Sequence, residues 1–170
     1  ARDGEQLIVR PREAMDNATP SGNSLAVELL LRASALLGSD ALRDTAVRAL
    51  LREAEAATRF PSAFGRFLTA LSFAATPPLE IVILAGSDEP GLGEYLRVAH
   101  GSYFPNRLVA GGDPKNLPDL PLLEGRRATD GRATAYVCRD FTCTPPILEP
   151  GALREELERS NPNRAEKDGG

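Results

Sequence analysis

Two groups of residues combine side-chain types and spacings that suit chemistry. The first is the loop Asp16-Asn17-Ala18-Thr19-Pro20-Ser21-Gly22-Asn23-Ser24, which leads into a strongly apolar stretch. Gly22 can take backbone angles closed to other residues and lets a ligand approach the main chain. The first amides of a helix starting here have no intrahelical partner and carry partial positive charge, which suits an anion or a sugar hydroxyl. Asp16 adds an acid and is the one candidate catalytic residue. Asn17, Ser21, Gly22 and Asn23 are the candidate ligand-binding set. The same residues also make a well-formed helix cap, since Ser and Asn are preferred at that position. The residues alone leave both readings open.

The second group is Cys138-Arg139-Asp140-Phe141-Thr142-Cys143. Four residues separate the thiols, so a tight turn can bring them together, and Cys138 and Cys143 are the redox candidates. The spacing is not Cys-x-x-Cys. With two cysteines the chain is too poor in sulfur for a disulfide scaffold, so reduced, structural thiols in a cytoplasmic setting are the expectation. Zinc asks for about four ligands, and the single histidine, His100, lies far away in sequence. No metal and no cofactor is implied. The turn Gly86-Ser87-Asp88-Glu89-Pro90-Gly91-Leu92-Gly93 matches neither G-x-G-x-x-G nor a P-loop and has no lysine to meet a phosphate. It reads as an ordinary strand-to-helix turn. His100 stands near a helix end and is expected to cap the last carbonyls. No Ser-His-Asp set can be assembled.

Elements must position these residues. Residues 1–24 read as a lead-in, with Leu7-Ile8-Val9 extended and Pro11 and Pro20 barring a continuous helix. A helix is expected from about Ser24 to Gly38, charged only at Glu28 and Arg32, which pair at i,i+4. A helix this apolar must be covered on most sides. A second helix runs from the Ser39-Asp40 cap to Arg59, with Leu42, Ala46, Leu50, Ala54 and Ala57 on one face. A third starts after Phe60, with Pro61 in its first turn, and carries a stripe of Phe64, Phe67, Leu68, Leu71 and Ala75. Covered, half-exposed and covered helices in succession suit a double ring of helices.

After Pro78 the pattern changes. Glu80 to Ala85 reads as a buried strand, and a helix follows from Gly91 to His100. Arg107 to Ala110 is a strand stopped by Gly111-Gly112, and Thr134 to Cys138 is another. Strand, helix and strand within about thirty residues make a βαβ unit. Pro150 opens a last helix containing Leu153 and Leu157. The fold class is therefore mixed, with a helical segment at 1–78, a small α/β segment at 79–160 and a flexible polar tail at 161–170.

The run from Arg10 to Ser24 resembles a segment of the spermatogenesis-associated protein 20-like proteins, also known as thioredoxin-domain-containing or YyaL-like proteins. The segment from Thr134 through Cys143-Thr144-Pro145-Pro146 is similar to that family's C-terminal signature. The resemblance implies a larger parent with an N-terminal thioredoxin-like domain and an (α/α)6 toroid of the six-hairpin glycosidase type. This chain would then hold the last toroid helices and a terminal α/β segment, without the thioredoxin-like domain or its redox cysteines. Sugar-active relatives of the toroid, such as the N-acylglucosamine 2-epimerases, work in a cleft at one end of the ring. The implied function is sugar binding or sugar modification in the intact parent. The alternative is a non-catalytic structural or protein-interaction module serving the thioredoxin-like domain.

Composition narrows the field further. The 170 residues are 42% hydrophobic and 26% charged, enough for a core of useful size. The net charge of -4 offers no basic field for nucleic acid or an anionic membrane. No run nears the roughly 18 apolar residues of a membrane span. The chain starts at Ala1 with a polar stretch that shows no signal-peptide pattern, as expected of a piece of a longer protein. Its expected partners are the upstream domains of the parent, with self-association through exposed apolar helices.

Overall fold

The computed structural model describes residues 13–86, 89, 91–101, 103–139 and 142–161. Leu7-Ile8-Val9, the Ser87-Asp88 part of the glycine-rich turn and the tail beyond residue 161 lie outside the described residues.

Helix α1 spans Gly22–Leu37 and α2 spans Asp40–Arg59. Gly38 joins them in the left-handed conformation at φ 63°, its N–H donating to the Ser34 carbonyl, the usual way a glycine stops a helix. A short 3-10 turn, Pro61–Ala63, precedes α3, Gly65–Ala75. The expected single third helix is thus two pieces. The remainder is β1 (Leu79–Leu84), α4 (Leu92–Gly101), β2 (Arg107–Gly112), a 3-10 turn at Pro121–Leu123, β3 (Thr134–Arg139), β4 (Thr142–Cys143) and α5 (Pro150–Arg159). Among the described residues, five helices and a four-stranded mixed sheet make the fold mixed, as expected.

The helical packing departs from the pattern read in the sequence. On α1 the buried row is Ser24, Val27, Glu28, Leu31 and Ser34, whereas Leu25, Leu29 and Leu37 are exposed, Leu29 at 68%. On α3 the buried row is Phe67, Ala70 and Phe73, while Leu68 and Leu71 are 37% and 40% exposed and Ala75 is exposed. The reason is geometric. Each helix here faces two others, so one stripe is buried and the opposite leucines have no cover. Each buried polar residue of α1 has a partner. Ser24 meets Ser21, Ser34 donates to the Ser39 carbonyl at 2.9 Å, and Glu28 meets Arg32.

The sheet order is β2-β1-β3-β4. β1 pairs parallel with β2 and antiparallel with β3, and β3 pairs antiparallel with β4. Alternation along β1 sends Leu79, Ile81 and Ile83 towards Tyr95, Val98 and Ala99 of α4 and Leu153 and Leu157 of α5. Val82 and Leu84 face the other way, onto Leu122 and Leu123. A strand covered on both faces reads as a continuous apolar run, which is why β1 was visible in the sequence. β2 does not stop at the glycines. Its parallel ladder runs on through Gly111 and Gly112, which pair with Ile83 and Leu84.

The helical and sheet parts share a joint. Arg32 of α1 donates to the carbonyls of Arg107 at 2.9 Å and Pro105 at 3.3 Å. Its guanidinium also lies 4.9 Å from the centre of the Phe73 ring, a cation–π distance. Asn106 donates to the Ser72 carbonyl of α3, and Leu108 of β2 packs into the helical core.

Gly111 gives the first test. It sits at φ 152°, and a Cβ there would overlap the Ile83 carbonyl oxygen. Gly111→Ala should lower the stability of the chain by about 3 kcal/mol or more, since backbone rather than a flexible side chain would have to move. Urea denaturation measures this, and a loss under about 1 kcal/mol would mean the ladder does not close as described.

Candidate functional site

The Asp16–Ser24 loop is held by its acid. Asp16 Oδ1 accepts from the Ser21 amide at 2.8 Å. Its Oδ2 accepts from the amides of Arg66 at 2.7 Å and Phe67 at 3.3 Å, and its own amide donates to the Ala63 carbonyl. Arg66 and Phe67 lie in the first turn of α3, whose cap residue, Phe64, brings no side-chain acceptor. Asp16 therefore caps α3 from fifty residues away and anchors the start of α1 with its other oxygen. Burial raises the Asp16 pKa, but the amides of Ser21 and Arg66, the Ser24 hydroxyl and the Phe67 amide outweigh it and leave the group below the usual 3.8. Ser21 is the cap of α1, accepting from the Ser24 amide at 3.1 Å while its hydroxyl donates to Ser24 Oγ at 2.8 Å.

The structure thus separates the candidate residues. Asp16 and Ser21 tie helix ends together, and an ionised carboxylate already holding several donors is well placed to position and poorly placed to give up a proton. Asn17 is exposed, its amide donating to the Thr19 carbonyl. Gly22 and Asn23 instead line a cleft of about 630 Å³ between the start of α1 and α2, together with Glu13, Arg52 and Glu53. Two carboxylates, a guanidinium and an amide can bind hydroxyls in both directions, as donor and as acceptor. No aromatic ring is among the lining residues. Glu13, Arg52 and Glu53 escaped the sequence reading because the α2 pair looks like the solvated face of an amphipathic helix.

Under the loop, Glu28 is 6% exposed and meets two guanidinium groups, Arg32 at 2.8 Å and Arg66 at 2.6 Å. The Arg66 contact is a close ion pair whose alignment falls short of a hydrogen bond.

The cysteines differ from expectation. Cys138 and Cys143 form a disulfide. They are directly opposed in the β3–β4 ladder, the approach that their spacing allowed, in a strand, β4, that the sequence pattern did not show. Arg126 Nη2 donates to both sulfurs, at 3.3 Å to Cys138 and 3.0 Å to Cys143. His100 is exposed. The last carbonyls of α4, those of Ala99 and His100, are met by Arg107 instead. A second cavity, of about 740 Å³, opens beyond the carboxyl ends of β1 and β2, with Glu89, Asp113, Lys115, Arg126 and Arg127 on its wall. Among the described residues no cluster of His, Cys, Asp and Glu could hold a metal ion, and no helix is long and apolar enough to cross a membrane.

Replacing the Asp16 clamp gives the second test. Asp16→Ala should cost about 1–2 kcal/mol at pH 7, the usual value of a helix cap. A depressed carboxyl contributes fully above its unfolded pKa, and the contribution is lost as pH falls through the folded value. The gap between wild type and variant should therefore hold above about pH 4 and close below it. Urea titrations at several pH values check both features, and equal stability at pH 7 would remove the clamp.

The chain is 32% identical over 160 residues to spermatogenesis-associated protein 20 of Rattus norvegicus, covering 92% of this chain and 20% of the relative. The Homo sapiens protein of the same name is 32% identical over 158 residues, covering 91% and 20%. The Mus musculus protein is 31% identical over 160 residues, covering 92% and 20%. The chain thus spans about a fifth of the length of the curated relatives it matches. No family model and no solved structure matches it.

Proposed function

The chain is a relative of the spermatogenesis-associated protein 20 proteins along most of its length, and from that premise we propose that it forms one end of a larger helical-ring protein that binds a sugar or similar polyol. The carrying observation is the cleft in which Gly22 and Asn23 meet Glu13, Arg52 and Glu53. Its mixture of donors and acceptors suits vicinal hydroxyls, and the free amides at the start of α1 add polarity at one rim. In this reading α1, α2 and α3 are the last helices of an (α/α)6 ring, and the remaining helices of the parent complete the cleft. Asp16 then serves the site by holding the two helix ends that frame it.

Calorimetry on the intact parent, titrated with monosaccharides, disaccharides and sugar phosphates, tests this. Binding of at least one of these should weaken about tenfold or more in Asn23→Leu and in Arg52→Ala, the cost of leaving a hydrogen-bonding partner unmatched. Absence of binding to every sugar, or binding unchanged in both variants, would overturn the reading.

A second reading, a non-catalytic structural or interaction module, draws on a separate observation. Leu25 and Leu29 of α1 and Leu68 and Leu71 of α3 are exposed, and apolar side chains in such number on neighbouring helices suit a covering partner. The occupant is the upstream part of the same parent. On its own, the chain should self-associate in sedimentation at micromolar concentration, and Leu29→Glu should shift it towards monomer. A stable monomer at all concentrations would count against this reading.

A further inference from the structure

We propose that Cys138–Cys143 is a thiol–disulfide exchange site, taking a dithiol as reductant, in which Cys143 is the sulfur attacked and Arg126 stabilises the thiolates released. The placement of three residues carries this. Cys138 lies in the sheet interior at 1% exposure, between β1 and β4. Cys143 is half-buried on β4, the edge strand, so an incoming thiol reaches its sulfur first. Arg126 is fixed above the pair by its own loop. Leu122 and Leu123 are buried under the sheet, the Arg126 amide donates to the Leu123 carbonyl, Nη1 donates to the Glu124 carbonyl, and the next residue's carbonyl accepts from the Tyr136 hydroxyl at 2.8 Å. The guanidinium therefore stands over both sulfurs without needing to be drawn there. Glu80 pairs with Cys138 across β1 and β3, so a carboxylate shares that face of the sheet. A thiolate formed at Cys138 needs a cation to offset it, and Arg126 supplies one.

The electrons balance as follows. A thiolate of the dithiol attacks Cys143 Sγ, a bond forms between those sulfurs, the Cys138–Cys143 bond breaks, and its electron pair leaves on Cys138 Sγ beside Arg126 Nη2. The second thiolate of the dithiol then attacks its own first sulfur and releases Cys143 as thiolate beside the same guanidinium. The dithiol is oxidised by two electrons to a disulfide, and the cysteine pair is reduced by two. The two thiol protons of the reductant end on the cysteines or in solvent. A nearby cation speeds such exchange because a stabilised thiolate leaves faster.

The test uses the oxidised chain with dithiothreitol at fixed pH, following free thiols over time. The wild-type pair should open, Arg126→Gln should open about tenfold more slowly, and Arg126→Lys should recover most of the rate, which a purely structural role for the loop would not do. Glutathione, which has a single thiol, traps the first step. Peptide mass mapping of the wild-type chain should find it on Cys143. That measurement needs no variant and stands even if Arg126→Gln fails to fold. A folded chain whose disulfide resists excess dithiothreitol, glutathione on Cys138, or equal rates in all three proteins would overturn the proposal.

Discussion

The guanidinium of Arg32 joins the two halves of the molecule. It is held at its root by Glu28, covered by the Phe73 ring, and spends two donors on the carbonyls of Pro105 and Arg107. Those carbonyls sit at the start of β2, so α1 is fixed relative to the sheet by the end of a strand that already pairs with β1. Arg107 returns the favour in the other direction, its side chain meeting the end of α4. Burial and the neighbouring Arg32 charge hold the Arg107 guanidinium below its usual pKa. Two like charges are tolerated this close because each is spent on backbone carbonyls.

From that joint the rest follows by packing. β1, covered by α4 and α5 on one face and by the Pro121–Leu123 turn on the other, is the centre of the sheet part. Leu36 of α1 packs against the second face as well. The helical core of Val27, Leu31, Leu50, Phe64 and Phe67 takes in Leu108 from β2. The two segments separated in the sequence reading therefore share apolar surface as well as hydrogen bonds. The loop carrying Arg126 is part of this arrangement. It closes the second sheet face and in doing so brings its cation to the sulfurs and to the wall of the larger cavity.

Charged and polar residues do much of the work that the apolar composition of α1 would suggest for leucine. Ser24, Glu28 and Ser34 are buried while Leu25, Leu29 and Leu37 are exposed. Helical periodicity reports which residues share a stripe, and both stripes of α1 can be drawn. It does not report which stripe meets a neighbour. The same ambiguity moved Leu68 and Leu71 of α3 to the outside. The boundaries of α2, and those of β1 to within one residue at each end, were legible because each has a single apolar pattern and clear stops. β4 was not, because two residues carry no period.

By itself the sequence determined the mixed class, the succession of the five helices and of β1, β2 and β3, and the Glu28–Arg32 pair, all set by local spacing, by glycine and proline, and by neighbours three or four residues apart. Tertiary structure alone decided where Asp16 spends its oxygens, since Arg66 and Phe67 are fifty residues on. It alone brought Glu13 and Glu53 to the cleft beside Asn23. It alone set Cys138 against Cys143 beneath Arg126, because β-pairing and loop placement depend on contacts that no local pattern encodes. Long-range partners are chosen by the whole packing, and a residue's type states only which partners it can accept.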